Sequence, residues 1–461
     1  MAGIGFQLKN LFEKEGLIAN VKAYINSTLV TIGPTVICII TITSLNFLLK
    51  YLGVSIAEIE LLQASIMYSF IFSLILSSGF CMILSRYIAD KLYEKNLNDI
   101  PSSSYGAISL AAIVAGIVGL VFYAISPLDI VYKFFAYILF VQLTVQSVIS
   151  AYVSALKNYK KISNSFIIGF LVGMISSIIM YYLTNIYLIL NMLISFNIWF
   201  GIVNLILFNE IQRYFSVKSK KYFEFIGYFK KHSLIFLTNT FWILGLYIHN
   251  FIIWCVDRAN YLVGNTYIYA PSYDIPAFYA FLSIMPTLVI FVVKLETEFF
   301  SKYSNYFHFI NEGASYEDIE GAKRDMKNTL YKELVYIMEI QIFFTLGVII
   351  LGINLLQLIG FSSSMIDLFN ILCLGYYFAI MSFVIMTILL YYEDKIGALL
   401  TTGTFFGTNM IFTTITVFLG EVYYGTGMFI SGIITIIVTL NRLRYFINNI
   451  DYYVFCKHSS W

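Results

Sequence analysis

The chain has 461 residues, of which 59% are hydrophobic and only 12% charged, with a formal net charge of +2. A soluble domain carries about 25% charged residues, and a large core does not explain the deficit, because a water-exposed surface still needs polar groups. The composition excludes a water-soluble enzyme, a disordered chain and a disulfide-built secreted scaffold, and the small net charge excludes the basic field that nucleic-acid binding requires.

Residues 1–20 lack a continuous apolar run and carry Lys9, Glu13, Lys14 and Glu15, so no cleavable signal is expected, and 1–22 reads as a cytoplasmic amphipathic segment. Ile4, Leu8, Leu11 and Phe12 share one helical face and predict a short amphipathic helix on the membrane surface. A spanning helix needs about 20 mostly apolar residues. Stretches of that kind run over 24–49, 64–86, 105–126, 134–156, 163–183, 186–208, 233–256, 275–293, 334–359, 366–392, 396–419 and 423–443, with spans five and six divided at Thr184–Asn185. Helices satisfy their own backbone polar groups in lipid. The expected fold is an all-α integral membrane protein of about twelve transmembrane helices.

The basic connection 209–232 divides these spans into two blocks of six, an N-lobe over 23–208 and a C-lobe over 233–447, followed by a tail over 448–461. The polar ends of spans two and eight, Ser85–Tyr93 and Lys294–Tyr303, echo one another and fit a parallel repeat. Within the C-lobe lies a long connection over 298–333. There Ser315-Tyr316-Glu317-Asp318 has the form of a capping box, which predicts a surface helix over about 316–332. That helix is either a linker or a docking surface for a cytoplasmic partner.

Orientation follows from lysine and arginine. With the N-terminus inside, 25 of the 28 basic residues fall in inside segments, and only Lys50, Lys133 and Arg258 fall outside. The positive-inside rule then places both termini in the cytoplasm. The outside segments carry seven acids, Asp257 and Asp274 among them. A negative exit would draw a polycation outward. Tyr267, Tyr269 and Tyr273 in the same connection could stack on sugar rings or simply mark the membrane interface.

The candidate path residues are the few polar or helix-breaking groups of the spans. Span one has Gly33 and Pro34, span seven Asn239, His249 and Asn250, and span eight Pro286 followed by Lys294, Glu296 and Glu298. Lys294 and Glu298 are four apart and can pair on one face, as can Arg86 and Asp90 at the end of span two. These two pairs are read as a polar collar at the cytoplasmic mouth. No phosphate-binding loop is present, and the four histidines and five cysteines have neither metal-ligand nor triad spacing, so no cofactor or metal is expected. Twelve spans without a chemical toolkit point to a transporter rather than an enzyme.

Several segments resemble a known family. They are Met1-Ala2-Gly3-Ile4-Gly5-Phe6-Gln7-Leu8, Gly33-Pro34, Ser85-Arg86-Tyr87-Ile88-Ala89-Asp90 and the block Pro286–Phe299 followed by Tyr303, with Asp318-Ile319-Glu320, Met326 and Gln341 further on. Together they resemble the PelG family of Pel exopolysaccharide transporters, within the multidrug/oligosaccharidyl-lipid/polysaccharide exporter superfamily. The resemblance implies two six-helix lobes in the bacterial cytoplasmic membrane. It implies a cationic cargo polymer rich in N-acetylgalactosamine. It also implies partnership with a cytoplasmic glycosyltransferase and other inner-membrane Pel proteins, including a cyclic-di-GMP receptor. A lipid-linked oligosaccharide flippase, a multidrug or toxin antiporter and a synthase-anchoring scaffold are the alternatives. An antiporter needs a buried carboxylate, and span one has none between Asn26 and Leu49, nor span seven before Asp257.

Overall fold

The computed structural model describes residues 32–155, 159–184, 186–215, 219–256, 259–358 and 360–457. The amphipathic segment expected over 1–22, the start of span one and Asp257 lie outside the described residues. Among the described residues, twelve helical segments are long and apolar enough to cross a membrane. The described residues form two compact units, one holding residues 32–243 together with Asn260–Tyr269, the other Leu244–Ala259 and Ala270 onward.

The first unit contains α1 (Gly33–Tyr51), α2 (Ile56–Tyr93), α3 (Asp99–Ile125), α4 (Ile130–Ala155), α5 (Tyr159–Leu183), α6 (Leu188–Tyr214) and the short α7 (Ile226–Lys231). It also takes the first half of α8 (Ser233–Trp254). Pro34 stands in the first turn of α1, where its missing N–H has no intrahelical partner to lose. Ser55 opens α2 with a capping box, its hydroxyl accepting from the Glu58 amide. At 1.5 Å per residue the 38 residues of α2 extend roughly 57 Å, nearly twice a hydrocarbon core of about 30 Å. The expected span over 64–86 is therefore only its middle. The core is built at helical spacing: Leu193, Phe200, Val203, Leu207 and Ile211 of α6 are all fully buried, as are Leu139, Val148 and Val153 of α4.

The expected loop over 257–275 contains a β-hairpin. β1 (Tyr261–Val263) pairs antiparallel with β2 (Tyr267–Tyr269), with Tyr261 opposite Tyr269. Gly264 and Asn265 both take positive φ at the turn, which these two residue types tolerate. The Gly264-Asn265-Thr266 loop between two aromatic and β-branched triplets is the signal that marks this hairpin in the sequence.

The linker between spans six and seven folds onto its own unit. Phe225 is fully buried. Lys91 meets Glu224 at 3.0 Å and Asp99 at 3.3 Å, and Lys221 meets Asp99 at 3.3 Å. A Cβ on Gly106 would overlap the Tyr222 carbonyl. Gly106→Val is therefore expected to lift the linker and destabilise the unit by about 1–3 kcal/mol. Faster proteolysis within 219–231 in purified protein would report it; unchanged cleavage would show the contact to be dispensable.

The second unit holds the rest of α8, then α9 (Pro271–Leu282), α10 (Met285–Lys294), α11 (Phe300–Asn311), α12 (Tyr316–Leu358), α13 (Ser363–Tyr391), α14 (Lys395–Leu419) and α15 (Thr426–Asn448). Three expectations need correction here. Span eight is not one helix over 275–293. It starts at Pro271 and breaks after Leu282, and Pro286 opens the second piece, α10. The break is held from α12: the Gln341 amide donates to the Ser283 carbonyl at 2.9 Å and its oxygen accepts from the Thr287 hydroxyl.

The surface helix over 316–332 is not separate from span nine. Both form the 43-residue α12, roughly 65 Å long, because no glycine–proline signal interrupts them. Its Ser315 cap is present, the hydroxyl accepting from the Asp318 amide at 3.3 Å. The echo between spans two and eight does not extend to backbone form. α2 continues to Tyr93, whereas α10 passes through a π-helical turn, Leu295–Phe299, before α11.

A polar seam joins α14 and α15. Thr401, Asn409, Ser431, Thr435 and Thr439 are fully buried. Thr439 donates to Thr401 at 3.2 Å, and the Asn409 amide donates to the Gly245 carbonyl at 2.9 Å. Small hydroxyl residues let membrane helices approach closely and hydrogen-bond across the contact.

Candidate functional site

A buried polar site that includes a carboxylate and a histidine lies in the second unit, where α8, α9 and α13 meet. Adjacent residues of α8, His249 and Asn250, face adjacent residues of α9, Tyr273 and Asp274. His249 Nδ1 is 2.9 Å from the Tyr273 hydroxyl and Nε2 is 3.2 Å from the Tyr376 hydroxyl of α13. A neutral imidazole serves both, with one nitrogen donating and the other accepting. The Asn250 amide donates to Asp274 Oδ1 at 2.8 Å. Trp254, one turn further along α8, donates its indole N–H to Oδ2 at 2.9 Å, and the Ala270 amide donates to Oδ2 at 3.0 Å. All of these side chains are buried, His249 completely.

This arrangement corrects the reading of Asp274 as an exposed carboxylate of an outer loop. It sits in the first turn of α9, inside the candidate span Pro271–Val292. The reason is local: Pro271 starts the helix four residues before the expected boundary. A carboxylate in a first helical turn is also favoured by the helix dipole. The tyrosines expected near the exit are not open stacking faces either. Tyr267 is fully buried in the first unit, its hydroxyl 3.0 Å from that of Tyr123, and Tyr269 is buried beside it. The Tyr68 hydroxyl fastens the hairpin by donating to the Ile268 carbonyl at 2.9 Å. Tyr273 belongs to the histidine site described above.

Of the other expected path residues, Asn239 donates its amide to the Ser78 carbonyl at 2.7 Å, joining α8 to α2 within the first unit. Gly33 is buried, with Ser163 of α5 its nearest neighbour. Lys294 and Glu298 pair at 2.8 Å across the π-helical turn, and the Lys294 ammonium lies 5.3 Å from the centre of the Tyr336 ring. Burial works against the Glu298 charge, but Lys294 more than offsets it and holds the carboxyl below its ordinary range. The pair therefore persists on acidification until pH falls through that lowered value. Buried Glu333 lies close enough to couple electrostatically with Glu298 and was missed in the sequence, where it sits unremarked between span nine and its surface extension. The Glu296 side chain lies outside the described residues. Arg86 and Asp90 pair at 3.2 Å in the first unit.

Trp254 and Tyr376 were not singled out from the sequence, whereas Asn250 was noted only as a polar residue of span seven. The spacing Asn250…Trp254 on one helical face was the available signal, but its meaning depends on Asp274, twenty residues away along the chain.

The chain matches, over residues 1–455, the family model described as "PelG: Putative exopolysaccharide Exporter (EPS-E)". No curated protein sequence matches it. Its fold is similar to that of a multidrug resistance MATE family transporter of the MOP superfamily in the outward-facing conformation, with 14% identity and a TM-score of 0.59 over 94% of this chain and 97% of that chain. A mutant of the Vibrio cholerae MATE transporter VcmN aligns with a TM-score of 0.61 at 11% identity, over 96% of this chain and 99% of that chain. A MOP superfamily transporter from Pyrococcus furiosus gives 0.54 at 14% identity, over 92% of this chain and 96% of that chain. At such identities the likeness is one of fold. The chain thus belongs to the PelG family of exopolysaccharide exporters, as a multi-pass membrane protein with the transporter fold of the MOP superfamily.

Proposed function

We propose that this protein moves a Pel-type exopolysaccharide, a cationic polymer rich in N-acetylgalactosamine, across the bacterial cytoplasmic membrane. The observation that carries the reading is the family match along residues 1–455. Both termini face the cytoplasm in this reading, supported by the 25 to 3 partition of basic residues. The polymer enters past Lys294 and Glu298 and leaves toward the acid-rich side. Deleting the gene in a polymer-producing host tests the reading. Secreted polymer is expected to vanish and to return with the intact gene; undiminished secretion would refute it.

The collar has its own test. A half-exposed pair four apart on a helix contributes only about 0.3–0.5 kcal/mol to stability, so Lys294→Gln and Glu298→Gln should leave abundance unchanged. A fall in secreted polymer of roughly tenfold, equivalent to about 1.4 kcal/mol in the transport barrier, is expected. Normal secretion at normal abundance would remove these residues from the path.

The cytoplasmic glycosyltransferase docks, in this reading, on the hairpin of α11 and the first four turns of α12. Tyr316, Arg324, Asp325 and Asn328 are exposed there. Tyr316→Ser with Arg324→Glu should release the glycosyltransferase from isolated membranes. Full retention would exclude this surface.

A further inference from the structure

We propose that Asp274 is a proton-binding site, and that its protonation loosens the contact between α8 and α9 so that a proton gradient contributes to transport. The inference deepens the export reading, because it names the driving ion for that same transporter.

Ionisable groups inside a membrane span are costly to keep and are functional sites by default. Asp274 is buried within such a span. Among the described residues it forms no ion pair with lysine or arginine. Its hydrogen-bond partners are neutral: the Asn250 amide, the Trp254 indole and the Ala270 backbone N–H. The titratable groups around it are His249 on α8, Tyr273 beside it on α9, Tyr376 on α13, which meets His249, and Tyr424 before α15. The Tyr424 ring lies 6.2 Å from that of Tyr273. Its hydroxyl is buried without a hydrogen-bond partner among the described residues.

The donor set selects a proton over a metal ion. A hard cation requires several oxygen ligands, whereas Asp274 is met by three N–H groups. A proton needs a single acceptor, and Asn250 can supply it. A side-chain amide carries both a carbonyl and an NH₂ group, so a rotation of its plane turns donor into acceptor. The carboxylate takes one proton from water at Oδ1. One N–H···O bond from Asn250 is lost and one O–H···O bond to Asn250 is formed. Trp254 and Ala270 keep their bonds to Oδ2. The difference lies in strength, since hydrogen bonds to an ionised carboxylate are roughly twice as strong as neutral ones. Deprotonated Asp274 pins α9 to α8, and the neutral acid holds it less firmly.

Infrared difference spectroscopy of the full-length protein in detergent, titrated from neutral to acid pH, tests the site with the proton itself as the probe. The wild type should gain a carboxylic C=O band that is absent from the near-isosteric Asp274→Asn. In Asn250→Leu the same band should move in frequency, because the acid proton has lost its amide acceptor. Identical spectra for wild type and Asp274→Asn, or a band indifferent to Asn250, would overturn the proposal. In cells, collapse of the proton gradient should lower wild-type secretion and leave residual Asp274→Asn secretion unchanged. Equal sensitivity in both would overturn the coupling. The infrared titration needs no polymer, so failure of the export reading would leave it standing.

Discussion

Replacing Arg442 with methionine is expected to lower folding stability by about 3–5 kcal/mol, the range for stripping one partner from a buried ion pair. The Arg442 guanidinium on α15 grips Asp394 in parallel, Nε to Oδ2 at 2.7 Å and Nη2 to Oδ1 at 2.7 Å. The Asp394 side chain is only 5% exposed, so without its arginine it remains a charge shielded from water. Asp394 also accepts from the Gly397 amide at 3.1 Å and so caps α14. One carboxylate thus fixes both the turn from α13 and the end of α15. Arg442→Lys should recover only part of the loss, since an ammonium cannot form two parallel bonds. Thermal unfolding in detergent, followed by loss of the monodisperse chromatographic peak, measures the effect. A shift no larger than that of the more exposed Lys395→Met would show that the pair does not clamp these helices.

Asp274→Leu is the second large effect, with an expected loss of about 3–5 kcal/mol. Leucine leaves the Asn250 amide, the Trp254 indole and the Ala270 N–H facing an apolar group, and each stranded buried donor costs about 1–3 kcal/mol. The sum stays below simple addition because neighbouring effects are coupled. Asp274→Asn, which keeps an acceptor oxygen, should lose about 1–2 kcal/mol and remain folded. Folded yield and thermal unfolding of the three proteins side by side check the ordering. Equal stability of Asp274→Leu and Asp274→Asn would show that the hydrogen-bond cage contributes little to the α8–α9 contact.

The membrane fold was legible in the sequence because it depends on local composition. About twenty apolar residues suffice to mark a span, and the Lys294–Glu298 and Arg86–Asp90 pairs were readable because helical spacing alone brings residues four apart together. The resemblance carried by the opening residues and by Pro286–Phe299 pointed to the family that the match over residues 1–455 then showed.

What composition could not supply was pairing across the chain. Asp274 reads in isolation as an acid at a loop edge, yet its partners Asn250 and Trp254 lie twenty or more residues earlier, and Tyr376, which meets neighbouring Tyr273 through His249, lies on α13. Gln341 looks like an ordinary polar residue of span nine, and only its contact with Ser283 and Thr287 identifies it as the support of the break in span eight. The tyrosines of the hairpin were placed by their type at an interface, but tertiary packing buried Tyr267 against Tyr123. The number of apolar spans and the family were readable from the residue order alone, because hydrophobicity and local motifs are properties of neighbouring residues. The tertiary structure decided which polar groups are buried and with whom. Burial depends on distant segments meeting, and an ionisable side chain shows its environment only when they do.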